Sequence, residues 1–212
     1  MEADFWHQRW QGNQIAFHEQ GGNELLARFF GHFNLAQGKR IFVPLCGKSK
    51  DIGWLLSKGY RVCGAELSEL AVEALFADLG VDPTITETGS LRHYQVEGLD
   101  IFLGDIFALT GEQLGSVDAI YDRAALVALP DDMRRDYAAH LVAITGAARQ
   151  FLISFTYDQS LLPGPPFSVP EDMVRSLYSG AYEIDRLEEI DVPGGLKGKC
   201  PAKETVWDLR PA

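Results

Sequence analysis

The residues able to do chemistry in this chain recur at one kind of place, the end of a short apolar run. Leu45 and Gly47 follow Ile41-Phe42-Val43, Glu66 follows the run from Tyr60 to Ala65, and Asp105-Ile106 follows Asp100 to Leu103. Asp122-Arg123 and Tyr157-Asp158 stand after the next two runs. Gly47 lets backbone come close to a ligand. Glu66 lies 19 residues beyond it, near the spacing of about 20 at which an acid can accept hydrogen bonds from ribose hydroxyls. A carboxylate followed by an apolar residue, as in Asp105-Ile106, suits an adenine, accepting from its amino group and packing on its ring. Arg123 adds a positive charge. Each residue also has a plainer reading. Gly47 can simply tighten a turn, Glu66 can complement the dipole of the next helix, Asp105 can cap a turn, and Arg123 can pair with Asp122 or Glu66. Their joint occurrence at successive run ends favours a ligand site.

The turn itself narrows the ligand. It reads PLCGKSKD, without the additional glycines that let a dinucleotide pyrophosphate approach. It also lacks the second glycine of a P-loop, because Phe42 occupies that position. A nucleoside without a polyphosphate fits better, S-adenosylmethionine being the common case. Other chemistries find little support. No G-x-S-x-G elbow is present, and the histidines at 7, 18, 32, 93 and 140 show no metal-binding spacing, so no metal is expected. His18 is the one histidine near a suspected ligand mouth, and a structural role suits it better than a catalytic one.

Elements that would position these residues can be read from the periodicity. A short amphipathic helix over 2–11 carries Trp6 and Trp10 on one face, either stapling an arm to the core or closing over a flat ligand. Asn23 caps a helix with Leu25, Leu26, Phe29, Phe30 and Phe33 inward. Strand runs at 41–43, 60–65, 100–103, 117–122 and 151–155 alternate with helical stripes, including one capped by Ser68 and one opened by Pro130. The segment 84–98 reads as an inserted extended stretch. After the proline-rich 163–167 comes a helix started by Ser168 and Pro170. Two last strands, 182–190 and 203–209, are joined by the loop Pro193 to Lys199. The expected class is α/β, a doubly wound, mainly parallel seven-stranded sheet with an antiparallel edge pair. One domain over 1–212 is expected, with 1–34 as a helical cover and 35–212 as the α/β core.

Bulk properties agree with a globular enzyme-sized chain: 212 residues, 46% hydrophobic and 23% charged. The net charge of −11 argues against nucleic acid or an anionic membrane as partner. Three cysteines without a CxxC pair suit a reducing compartment. With no signal-like start and no run of about 18 apolar residues, a soluble, cytoplasmic protein is expected, monomeric because no heptad pattern appears.

The ordered motifs FWHQRWQGNQIAFHEQGGN, FVPLCGKSKDIGWL, GAELSELAVE, GDIF, YDRAALVALP and PGPPFSVP resemble the thiopurine S-methyltransferase family in a bacterial form. The resemblance runs from Phe5 to about Pro170. It implies a class I, Rossmann-like methyltransferase using S-adenosyl-L-methionine, with Trp10, Leu45, Glu66, Ile106 and Arg123 at the cofactor and Trp6 and Phe17 in a cover over cofactor and substrate. It also implies methylation of aromatic or heterocyclic thiols, and bacterial relatives are linked with selenium and tellurium compounds. Gly47 and Asp105 join the cofactor set on the residue reading. Phe155 and Phe167 join Trp6 and Phe17 as apolar surfaces for the substrate. Arg123 is expected to order the cofactor region and favour the thiolate, with no general base. The competing readings are an O- or N-methyltransferase, with Asp158 or His18 as base, and a protein that holds the cofactor without catalysis. The last third departs from the animal pattern, leaving the loop with Lys197 and Lys199 unassigned.

Overall fold

The apolar run at 41–43 becomes β1 (Arg40–Pro44), which pairs in parallel with β2 (Arg61–Glu66). β2 pairs in parallel with β5 (Leu99–Leu103), every residue of which is buried. Runs this uniformly apolar are what parallel strands covered on both faces require. The computed structural model describes residues 3–12 and 21–212. The expectations for Phe17 and His18 lie outside the described residues. The chain groups into two units, Met1–Asp118 and Ala119–Ala212.

In the first unit the strands run in the order β3-β4-β5-β2-β1. β3 (Thr84–Thr88) and β4 (Leu91–Val96) form an antiparallel hairpin added to β5. This is the segment expected as a single inserted stretch, and Gly89 at φ +63° turns it into two strands. α1 (Ala3–Gln11), α2 (Glu24–Phe29), α3 (Lys50–Ser57), α4 (Glu69–Leu79) and the short α5 (Gly111–Leu114) complete the unit. Asn23 caps α2 as expected, accepting from Leu26 N at 3.0 Å. Its own N–H donates to the buried Asp51 at 2.7 Å, which fixes the approach to α2 onto the start of α3. Ser68 precedes α4, but its hydroxyl makes no cap bond; its N–H instead donates to Glu66. Gly64 allows close packing between strand and turn, since a Cβ there would lie 2.8 Å from Ile101 Cδ1 and 2.9 Å from Cys46 Sγ.

A charged cluster holds the ends of these strands opposite their carboxyl edge. Arg40 Nη2 donates to Asp100 at 3.0 Å, and His93 Nε2 and Gln95 Nε2 each lie 2.9 Å from the other Asp100 oxygen. Asp118 accepts from Arg40 N and Lys39 Nζ, both at 2.8 Å.

In the second unit β6 (Ala119–Arg123) and β7 (Arg149–Tyr157) are parallel. β9 (Ala202–Pro211) and β8 (Tyr182–Asp191) follow as the expected antiparallel pair, in the order β6-β7-β9-β8. Trp207 on β9 is buried and donates to Ser154 on β7 at 3.0 Å. Arg149 clasps Asp208 with two bonds of 2.8 and 2.6 Å. α6 (Asp131–Thr145) starts after Pro130 and buries Tyr137, Leu141 and Ile144. It also buries Arg134, whose Nε donates to Leu129 O at 2.9 Å. α7 (Glu171–Tyr178) buries Val174 and Tyr178. Among the described residues nine strands are present where seven were expected, the hairpin supplying the difference. No helix among the described residues is long and apolar enough to cross a membrane.

Asp100→Ala should leave the largely buried Arg40 without its carboxylate. A loss of about 3 kcal/mol is expected in urea unfolding, with turnover per folded molecule unchanged.

Candidate functional site

The turn after β1 is built around a carboxylate rather than around open amides. Glu66, at the end of β2, is buried; its Oε2 accepts from Gly47 N and its Oε1 from Ser68 N, both at 2.8 Å. Burial raises its pKa, while bonds from the Ser68, Gly47 and Leu67 amides and the nearby charge of His7 pull it back. Neighbouring amides of the turn are committed as well, Cys46 N to Ala65 O at 3.0 Å and Ser49 N to Cys46 O at 3.2 Å. Such a turn has few N–H groups to offer a pyrophosphate. It does hold an acid whose oxygens keep further lone pairs for a ligand's hydroxyls. Gly47 at φ +52° and Leu45 at φ +46° both occupy the left-handed region. For Leu45 this conformation is costly and typical of residues held at ligand sites.

α1 lies over this turn. A Cβ on Gly47 would meet Trp10 Cζ2 at 3.3 Å, so the indole of Trp10 packs directly on the glycine. One turn earlier, His7 lies close enough to stabilise the charge of Glu66. Trp6 packs edge-on against Phe5 at 5.3 Å, and Arg9 covers the other ring at 4.6 Å from the Phe5 centroid. Beside the Glu66–Ser68 turn opens a polar cleft of about 500 Å³ lined by His7, Gln11, Leu67, Ser68, Arg92 and Gly104, among others. The sequence reading missed these contributors. Arg92 reaches the cleft from the β3–β4 hairpin and is fixed by Glu69 at 2.6 Å, a pairing that only long-range folding creates. Asp105 is exposed and caps the turn after β5, accepting from Phe107 N at 3.0 Å, while Ile106 is buried. The plainer reading of Asp105 as a turn cap is therefore realised.

In the second unit Arg123 ends β6 in register with Ile153. Phe155 lies two residues beyond Ile153 and so on the same side of β7. Asp122, facing the opposite side, is fully buried. Its Oδ2 accepts from Tyr137 OH at 2.8 Å and Gln150 Nε2 at 3.3 Å, and its Oδ1 from Leu126 N at 3.1 Å. Burial pushes its pKa up to about 6, against the pull of the Leu126 and Tyr137 bonds. Phe167 is half-buried under the Arg134 guanidinium, 5.5 Å from the ring centroid, and its N–H donates to Val127 O at 2.6 Å. Asp158 is exposed and spends one oxygen on Ser160. Lys197 Nζ donates to Pro165 O at 2.7 Å, joining the Pro193–Lys199 loop to the proline-rich loop that carries Phe167. The same loop borders a cleft of about 580 Å³ that also involves Thr156, Asp191, Lys199 and Lys203. No group of side chains able to hold a metal ion occurs among the described residues.

The family described as Thiopurine S-methyltransferase (TPMT) matches residues 1–205. The chain belongs to the thiopurine S-methyltransferase family. A thiopurine S-methyltransferase of Xanthobacter autotrophicus is 57% identical over 213 residues, covering 100% of both chains. Another, of Gluconobacter oxydans, is 49% identical over 99% of this chain and 95% of its own. Among solved structures, the fold is similar to that of a Burkholderia thailandensis 1,6-didemethyltoxoflavin-N1-methyltransferase. The TM-score there is 0.65 at 15% identity, covering 98% of this chain and 87% of that one. A TehB-like SAM-dependent methyltransferase of Corynebacterium glutamicum gives a TM-score of 0.59 at 16% identity, over 99% and 98% of the two chains. The fold is thus the Rossmann-like fold of class I methyltransferases. Within this thiopurine S-methyltransferase family member, the buried acid, the covered glycine and the occupied amides fit a nucleoside sulfonium better than a dinucleotide.

Glu66→Gln would turn an amide N–H toward Gly47 or Ser68 and strand one backbone donor. A stability loss of about 1–3 kcal/mol and at least a roughly tenfold weaker affinity for S-adenosylmethionine are expected, read by urea unfolding and calorimetry. Asp122 makes a prediction about pH. Its folded carboxyl holds a proton more tightly than the ordinary 3.8, up to about 6. The native state therefore binds more protons than the unfolded one in that window, and this group's contribution to stability falls as pH rises through it. Asp122→Asn has no such proton, so its stability relative to wild type should rise between about pH 4 and pH 6, seen in urea midpoints.

Proposed function

We propose that this protein transfers the methyl group of S-adenosyl-L-methionine to the sulfur of aromatic or heterocyclic thiols, thiopurines among them. The observation that carries this reading is end-to-end identity of 57% with a thiopurine S-methyltransferase. The sulfonium supplies an already activated methyl group, so the cofactor carries the difficult chemistry. What remains for the chain is alignment, which in well-oriented systems contributes about 7–11 kcal/mol. Glu66 receives the ribose hydroxyls, and Trp10 shields the turn at Gly47. Leu45, Asp105 and Ile106 complete the cofactor set. Arg123 orders the cofactor region and favours the thiolate, a nucleophile available near neutral pH without a dedicated base. Phe155 and Phe167 offer apolar surface to the substrate ring. The cover roles of Trp6 and Phe17 rest on the family resemblance.

The substrate range extends, in this reading, to compounds of selenium and tellurium, whose soft anions are nucleophiles of the same kind. Three free, buried cysteines suit a reducing cytoplasm. An acidic chain with a small-molecule substrate needs neither nucleic acid nor membrane, and a monomer suffices.

Calorimetry with S-adenosylmethionine, followed by a methylation panel of thiopurines, thiophenols, selenite and tellurite, tests the proposal. Binding and turnover on an aromatic thiol are expected. Binding with turnover only on hydroxyl or amine acceptors would replace it with O- or N-methylation, and binding without turnover on any acceptor would leave a cofactor-holding protein. Arg123→Ala should lower cofactor affinity or shift the pH profile of turnover toward that of the free thiol. If both stay at wild-type values, Arg123 has neither role.

A further inference from the structure

We propose that Asp122 is a positioning residue for Arg123, acting through the backbone of the turn that both share. This rests on the reading of Arg123 given above. The two are neighbours on β6 and point to opposite sides of the strand, so Asp122 is placed to act on the main chain and not on the Arg123 side chain. Its Oδ1 accepts from Leu126 N at 3.1 Å and closes a loop of backbone over residues 122–126. Inside that loop Ala124 has φ +63°, a conformation that residues other than glycine keep only when their surroundings hold them there.

The other carboxylate oxygen is anchored from two elements. Tyr137 donates from α6 at 2.8 Å and Gln150 from β7 at 3.3 Å. The carboxylate thus carries the rigidity of a helix and a central strand into a strained turn. Its complete burial is an expensive way to hold a loop, and an apolar residue would fill the same space without that cost. The cost is understandable where the turn must keep one shape. Arg123 sits between the anchored residue and the strained one, so the turn sets where its Cα lies and which way its side chain leaves the sheet. For a charge aimed at a reacting group, displacement of about 1 Å can lower the rate about 100-fold.

The test is a double-mutant cycle on Asp122→Ala and Arg123→Ala, with Asp122→Asn as the conservative variant. For each, kcat and KM for an aromatic thiol, the affinity for S-adenosylmethionine and a thermal melt are measured. Asp122→Ala is expected to lower kcat about 10-fold or more in the wild-type background, and by less than about twofold when Arg123 is already alanine. Asp122→Asn keeps an oxygen for Leu126 N and should stay within about threefold of wild-type kcat. Equal losses from Asp122→Ala in both backgrounds would make Asp122 a structural residue only. A loss with Asp122→Asn as deep as that of Arg123→Ala would assign the effect to the charge and overturn the backbone route; this comparison decides the matter if Asp122→Ala does not fold. Failure of the underlying reading is separate, because it shows as an Arg123→Ala protein with unchanged kcat, KM and affinity.

Discussion

The first unit depends on one carboxylate bridging two loops. Glu66 ends β2, yet its oxygens take the amides of Gly47, beyond β1, and of Ser68, at the start of α4. The bridge locks the two strand-to-helix turns to each other. It also makes the turn after β1 a place where main-chain donors are already spent, leaving lone pairs on the acid more than backbone N–H groups. Burial raises the pKa of this group and amide bonds offset part of that rise. Burying an acid in this way is costly, and groups perturbed like this cluster at functional sites.

In each unit left-handed backbone occurs just beyond a strand's carboxyl end. Leu45 and Gly47 turn sharply after β1 and Ala124 after β6, all at positive φ. The opposite edge of the first unit turns on Gly38, Gly59 and Gly98, also at positive φ, a conformation glycine adopts without a Cβ penalty. There, Arg40, Asp100, His93, Gln95, Asp118 and Lys39 satisfy one another, which is work of stability alone. The division follows the general behaviour of open α/β sheets, in which ligands meet the carboxyl ends of strands.

The second unit adds a different kind of control. Its proline-rich loop is fixed by Tyr157, which donates to Pro166 O at 2.7 Å, by Ser168, which accepts from Tyr157 N at 3.1 Å, and by Lys197 from the neighbouring loop. Gly195 lets that neighbouring loop fold back on itself, because a Cβ there would collide with the Cys200 carbonyl. These bonds tie the loop that carries Phe167 to the loop that carries Lys197.

Much of this was legible in the residues themselves. Apolar runs, helix stripes, the Asn23 cap, the Pro130 start and the antiparallel last pair all follow from local pattern, since burial on both faces and helical periodicity leave marks along the chain. The absence of a pyrophosphate turn was equally readable, because it depends on glycines that are simply missing. Tertiary structure alone decided the rest. It split the 84–98 segment into a hairpin, made Ser68 an amide donor to Glu66 instead of a hydroxyl cap, and brought Arg92, Ser68 and His7 to one cleft. It also turned Asp122, which reads as a possible partner for Arg123, into a buried anchor beneath it. Each of these outcomes depends on which group a side chain meets across the fold, and periodicity carries no information about residues far apart in sequence. The chain alone therefore determined the fold class and the strand ends that carry the candidate residues; packing decided how each carboxylate is held, Glu66 by the amides of two turns and Asp122 by Tyr137, Gln150 and Leu126.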